Sequence, residues 1–219
     1  MVIEGYKFLG KDYRSMYGNF QFKVGERYKH DGPVRLCESG FHFSKRLSDA
    51  FSYYGKEAHH CCKVKGSGRM EEGQDKVVCS GIYIEKELNF VEVLEELSKH
   101  DSVKKGVAEN PNCPAEILKK LSKDENLNVK MSVICNLSCP IGILEKLSKD
   151  KHWHIRTLVA EHPRCSIKIL EELSEDKDWY VRYAVAGHPS CPVKVSEKLN
   201  KDINSNMLIA VEESKYGTI

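Results

Sequence analysis

A gapless repeat of 26 residues runs through the second half of the chain, and it restricts the possible folds more than any other feature. Aligned segments begin at Val107, Val133, Val159 and Val185, and Val211 opens a truncated fifth copy. The same step links Cys113, Cys139, Cys165 and Cys191, then Leu121, Leu147, Leu173 and Leu199, then Asp124, Asp150, Asp176 and Asp202. Ahead of them, Val93 to Lys99 matches the second half of another copy, joined by a linker two residues shorter.

Each copy reads as two short helices. The second starts at Cys-Pro in three copies, with the proline predicted at the first helical position, where its missing N–H has no partner to lose. Ile117, Leu118 and Leu121 then share one face, and Lys119, Lys120 and Lys123 lie opposite. The first helix is clearest at Trp179 to Ala186, with Val181, Ala184 and Val185 inward and Gly187-His188-Pro189 ending it. Neither helix can bury its apolar stripe alone, so neighbouring copies must stack to make a core. The second copy carries Asn136-Leu137-Ser138 where the others have Asn-Pro or His-Pro, which predicts a looser turn. A cysteine once per copy reads as a small buried hydrophobe.

The run from Asp176 to Leu199, D-x-x-W-x-V-R-x-x-V-A-x-H-P-x-C-P followed by Leu199, resembles the variant leucine-rich repeat. The resemblance covers residues 91–213. It implies a right-handed superhelix of short helices, related to HEAT repeats, that serves macromolecular contact and carries no chemistry. In such a solenoid equivalent positions form continuous stripes. The first helices place Leu127, Trp153 and Trp179 in one stripe, Asn128, His154 and Tyr180 in the next, and Lys130, Arg156 and Arg182 in a third. Stripes rich in Trp, Tyr and Arg have the composition of an interface hot spot. The alternative is architectural: tryptophans wedged between copies and arginines paired with Asp150, Asp176 or nearby glutamates. The expected binding residues are therefore Trp153, His154, Arg156, Trp179, Tyr180, Arg182 and Lys130.

The first ninety residues have another texture, aromatic and punctuated by glycine. Alternation predicts strands at Phe20–Val24 and Lys76–Ile84. Ser44 to Tyr54 reads as a helix capped by Ser44, with Leu47, Ala50, Phe51 and Tyr54 on one face. The expected fold is an α+β N-terminal domain (1–90) followed by an all-α solenoid of about four to five helical repeats (91–219).

Gly40-Phe41-His42-Phe43-Ser44, with the helix after it, is distantly similar to the nicotinamide-pocket segment of diphtheria-toxin-like ADP-ribosyltransferases. The similarity implies a pocket lined by His42 and Tyr54, with Lys76 to Ile84 as a later strand. That family needs a glutamate there. Here Gln74, Asp75 and Lys76 stand in its neighbourhood and only Glu71 and Glu72 lie close, so the main electrostatic stabilisation is missing. The segment Cys37 to His42 also resembles an uncharacterised small domain of bacterial and phage proteins, a resemblance that carries no function; a phage or bacterial conflict system is the expected setting. Cys37, Cys61, Cys62 and Cys79 with His59 and His60 are conceivable metal ligands. No C-x-x-C knuckle occurs, however, and adjacent cysteines face opposite sides of a strand. No metal and no cofactor are expected.

Net charge is +2, divided into +3 over residues 1–90 and −1 over 91–219, which gives neither part the basicity of a dedicated nucleic-acid binder. Nine cysteines, two of them adjacent, do not suit a disulfide framework. No apolar run reaches membrane-span length, and the first residues lack signal-peptide features. The expectation is a cytoplasmic, non-enzymatic module that binds another protein and no membrane. The rivals are an NAD-dependent transferase with a repeat targeting domain, and a nucleic-acid-binding solenoid.

Overall fold

The computed structural model describes residues 1–16, 20–199 and 201. The chain forms two compact units that divide after Leu121. Asp202 and the copy beginning at Val211 lie outside the described residues.

The first unit is built on one antiparallel sheet of β1 (Ile3–Leu9), β2 (Arg27–Lys29), β3 (Phe41–Phe43), β4 (His60–Glu72) and β5 (Val77–Leu88). The order is β1-β4-β5-β2, and β3 also pairs with β5. Period-two alternation sends Leu9, Cys62, Val64, Ile82 and Ile84 into a core on one face, where they meet Phe22 and Phe43. On β1 and β4, Gly5 and Gly66 make room for the Phe43 ring, because a Cβ on either would lie 2.5 Å from it. Phe8 of β1 packs edge-on against Phe51 of α1 (Leu47–Tyr54), with ring centroids 5.5 Å apart. Burying such a phenylalanine stabilises the fold by roughly 1.5–3 kcal/mol.

Two local expectations fail. Phe20–Val24 is no strand: Phe22 donates its N–H to Tyr13 O in a loop, and Phe20, Phe22, Tyr28 and Phe41 cluster ring to ring. Aromatic clustering and strand pairing leave the same alternating trace. Nor does Ser44 cap α1. Its main chain is bridged to Tyr6, so the chain stays extended until Arg46, and the buried Ser44 hydroxyl has no partner among the described residues.

After β5 the chain is helical. In the first unit come α2 (Phe90–Leu97), α3 (Lys104–Glu109) and α4 (Ala115–Leu121). They pack with the sheet domain: Asn110, fully buried, donates to Gly55 O at 2.7 Å and Ala58 O at 3.2 Å. The change from strand to helix at residue 90 thus precedes the end of compact packing. The second unit holds α5 (Leu127–Cys135), α6 (Ile141–Leu147), α7 (Trp153–Glu161), α8 (Ile167–Leu173) and α9 (Trp179–Gly187), with further helical turns at 193–199. Leu121, Leu147, Leu173 and Leu199 are all buried. Pro140 has ψ of 140°, so it is the residue before α6 and not its first helical residue. Cys113, Cys139 and Cys165 are buried, and burial pushes their thiols up to about 12, 11 and 11.

The turns within each unit follow one rule. Asn110, Asn136, His162 and His188, one 26-residue step apart, are buried, and each accepts from the N–H two residues on. Asn136 makes that bond at 2.9 Å, and Cys139 N–H donates to its carbonyl at 2.7 Å, so this turn is no looser than the others. The proline is dispensable because the side-chain acceptor sets the turn. His162 Nδ1 accepts from Arg164 N–H, so its proton sits on Nε2, 3.4 Å from Asn136 O, and His188 Nε2 lies 3.2 Å from His162 O.

A charged imidazole has no acceptor nitrogen, so these bonds require the neutral ring. Burial, then Arg164 and His188, lowers the His162 pKa below its ordinary 6.5, with the Asn136 bond opposing. Its contribution to stability is complete above about pH 6.5 and is lost as pH falls from there through the lowered folded value. Melting curves between pH 7.5 and 5 should therefore shift down on acidification. His162→Asn, which installs the side chain found at 136, should keep the fold and flatten that shift. An unchanged pH profile in this variant would count against the account.

Candidate functional site

The first unit contains a cleft of about 780 Å³. It is lined by β1 and β3, by the segments around Met16, Phe20 and His30, by the loop around Cys37, by the end of α1 and by Lys76 just before β5. His42 and Tyr54, the pair expected from sequence, both line it. His42 Nε2 accepts from Cys37 N–H at 2.9 Å, and Cys37 is held at φ 63°, a conformation few non-glycine residues adopt. Burial, with Lys7 and Lys76 nearby, lowers the His42 pKa and keeps the ring neutral at pH 7.

Lys7, buried at 7% exposure, alternates inward from β1 between Gly5 and Leu9. Its ammonium donates to His42 O at 2.7 Å and lies 5.1 Å from the Phe22 ring. Desolvation lowers its pKa to about 8. Across the cleft, Lys76 Nζ sits 3.2 Å from the centre of the Tyr53 ring and 3.9 Å from Cys37 Sγ. Tyr53 donates to Asp75, which raises its pKa to about 12. Among the described residues the one acidic side chain lining the cleft, Glu38, is 3.4 Å from Arg35. Glu71 accepts from Leu36 N–H, Glu72 pairs with Lys45, and neither lines the cleft. The cleft is thus cationic and aromatic, and the two glutamates nearest the position expected from sequence, Glu71 and Glu72, are engaged elsewhere.

Among the described residues no group of three or more His, Cys, Asp or Glu side chains is close enough to hold a metal ion. Cys62 and Cys79 are buried in the sheet core, with pKa values raised to about 12 and 11. His60 instead stacks on Tyr13 at 4.0 Å, and both bond to Glu87.

Residues 3–96 match the family model of a domain of unknown function, DUF7666. The match covers less than half of the chain and ends inside α2, so it takes in the whole sheet and the cleft. No curated protein and no solved structure matches the chain.

In the second unit the three sequence stripes part company. Arg156 of α7 is 7% exposed and its guanidinium makes four hydrogen bonds: Nε and Nη2 grip Asp176 at 2.6 and 2.8 Å, and Nη1 donates to Asp150 O and Lys151 O. Arg182 donates likewise to Asp176 O and Lys177 O, and Lys130 pairs with Asp150 at 2.9 Å. The cations join turns and helices of the unit itself. The aromatic residues form a stack: His154 on Trp153 at 3.5 Å, Trp153 on Tyr180 at 4.8 Å, Tyr180 on Trp179 at 3.8 Å. Trp153 and Trp179 are half-buried, while His154 and Tyr180 are exposed. In α5 the corresponding positions are Leu127 and Asn128, so the aromatic character belongs to α7 and α9.

Sequence reasoning did not single out Lys7 and Lys76 as cleft residues. A lysine at an inward position of an alternating strand is a readable signal for Lys7. Lys76 reaches the cleft only through the fold.

Proposed function

We propose that the helical repeats are of the HEAT-like, variant leucine-rich-repeat kind, and that the chain is a non-enzymatic module binding another protein through the aromatic stack. The helix starts support the repeat reading, since α5, α7 and α9 begin at 127, 153 and 179, and α4, α6 and α8 at 115, 141 and 167. The observation that carries the binding reading is the stack itself, His154–Trp153–Tyr180–Trp179, with its two outer-facing members in solvent. Packing of the helices does not require exposed rings. Partly exposed tyrosine and tryptophan, pre-ordered by stacking, offer large contact area at little entropic cost. A nucleic acid is a poorer fit, because Arg156, Arg182 and Lys130 are already bonded within the unit and phosphate binding needs available cations.

His154→Ala with Tyr180→Ala tests this, since both side chains are exposed and their loss should keep the fold, lowering the melting temperature only by the lost ring contacts. Partners captured by the wild-type chain from its host, and then purified, should bind the double variant more weakly by over about 2 kcal/mol. Equal affinity would place the interface elsewhere. Recovery of RNA alone, with binding that collapses as salt rises, would favour the nucleic-acid reading.

A further inference from the structure

We propose that the cleft of the first unit binds a small anion that carries a planar ring, the chemistry of a nucleoside monophosphate. This goes beyond the protein-binding reading, and neither depends on the other. The anion half follows from Lys7. Its ammonium is almost wholly removed from water, and its hydrogen-bond acceptor is a neutral carbonyl, His42 O. The titratable groups around it are Cys62 and Cys79, both neutral because burial raises their thiols, together with His42, which burial also keeps neutral. Among the described residues no carboxylate pairs with Lys7. A buried cation without a counter-ion is costly, and an anion entering the cleft removes that cost. Lys76 lines the same space, and among the described residues the one acid on the lining, Glu38, lies 3.4 Å from Arg35. Two ammonium groups without a competing carboxylate suit a phosphate.

The ring half follows from the walls. Phe41, Tyr53 and Tyr54 line the cleft, and Tyr53 is held in place by Asp75 and by the ammonium of Lys76. Aromatic faces of this kind stack on planar heterocycles. The volume falls within the range of small-molecule sites.

Calorimetric titration of the full chain with adenosine, guanosine, cytidine and uridine 5′-monophosphate is the test, with adenosine and inorganic phosphate as separate arms. At least one nucleotide should bind with a sub-millimolar Kd, and adenosine and phosphate each about tenfold or more weakly. Lys76→Met, at a partly exposed position, and Lys7→Met should each weaken nucleotide binding about tenfold or more. A second readout does not depend on variants folding. Just above pH 8, binding should take up a proton as the anion stabilises the Lys7 ammonium, seen as heats that vary with the buffer's ionisation enthalpy. Three results would overturn the proposal: no binding of any of the four nucleotides at millimolar concentration, unchanged affinity in Lys76→Met, or phosphate binding as tightly as the nucleotides.

Discussion

Arg156→Ala should destabilise the second unit by about 3–5 kcal/mol, the range for removing one partner of a buried ion pair. The two side chains of the pair are 8% and 9% exposed, so solvent screens them little. The loss is not confined to one bond. Without the guanidinium, Asp176 keeps only the N–H of Asp178 on Oδ1, and the carbonyls of Asp150 and Lys151 lose their donor. A buried carboxylate left in that state costs more than the pair contributed. The two tryptophans of the chain, Trp153 and Trp179, stand at the starts of α7 and α9, so urea unfolding followed by their fluorescence reads this unit directly. Arg156→Lys should fall between. Lys130 pairs with Asp150 in the same way one step earlier, but a lysine cannot hold both carboxylate oxygens and the turn carbonyls together. A change below about 0.5 kcal/mol in Arg156→Ala, the size of an ordinary surface substitution, would refute the architectural reading of this arginine.

That arginine shows where sequence stopped being informative. Trp, Arg and Asp recurring every 26 residues are visible in the letters, yet the pattern suits an interface and a scaffold equally. Only the position of Asp176, 20 residues on and within 2.6 Å, decides between them. The helices were readable because each is short and apolar on one face, and some open on a polar residue with a job: Asn126 and Asp178 accept from the backbone at the starts of α5 and α9. The Asn and His turn residues were visible as a recurring position, but the bonds of His162 and His188 to the preceding copy were not, because those run between residues 26 apart.

The cleft was less legible. His42 and Tyr54 emerged from a distant resemblance, and the structure does bring them to one cavity. Its electrostatics come from Lys7 on β1 and Lys76 just before β5, which lie 69 positions apart and share no motif. Antiparallel pairing through β4 and β5 brings these segments together, and residue spacing alone does not encode it. Phe20–Val24 misled for the reverse reason: its alternation is real, but it serves a ring cluster beside the cleft.

Leu147→Ala should cost about 2–5 kcal/mol, the range for truncating a buried leucine. Leu147 is 5% exposed and closes the buried face of α6 with Ile143 and Leu144. A helix of seven residues has almost no stability of its own, so tertiary packing of this face is what keeps α6 folded. The spread in the expected cost reflects how far neighbouring side chains can close over the lost atoms. A well-filled site that cannot collapse lies at the upper end. Leu137→Ala serves as the control, since Leu137 sits in the adjacent turn at 70% exposure and should change stability by no more than about 0.5 kcal/mol. The form of the transition carries further information. The fluorescent probes are on α7 and α9, not on α6, so a fluorescence midpoint that falls with an unchanged urea slope means that the helices unfold together. A lower slope means that α6 has loosened in advance of the rest. Equal stability of Leu147→Ala and Leu137→Ala would show that the recurring leucine is not what holds these helices together.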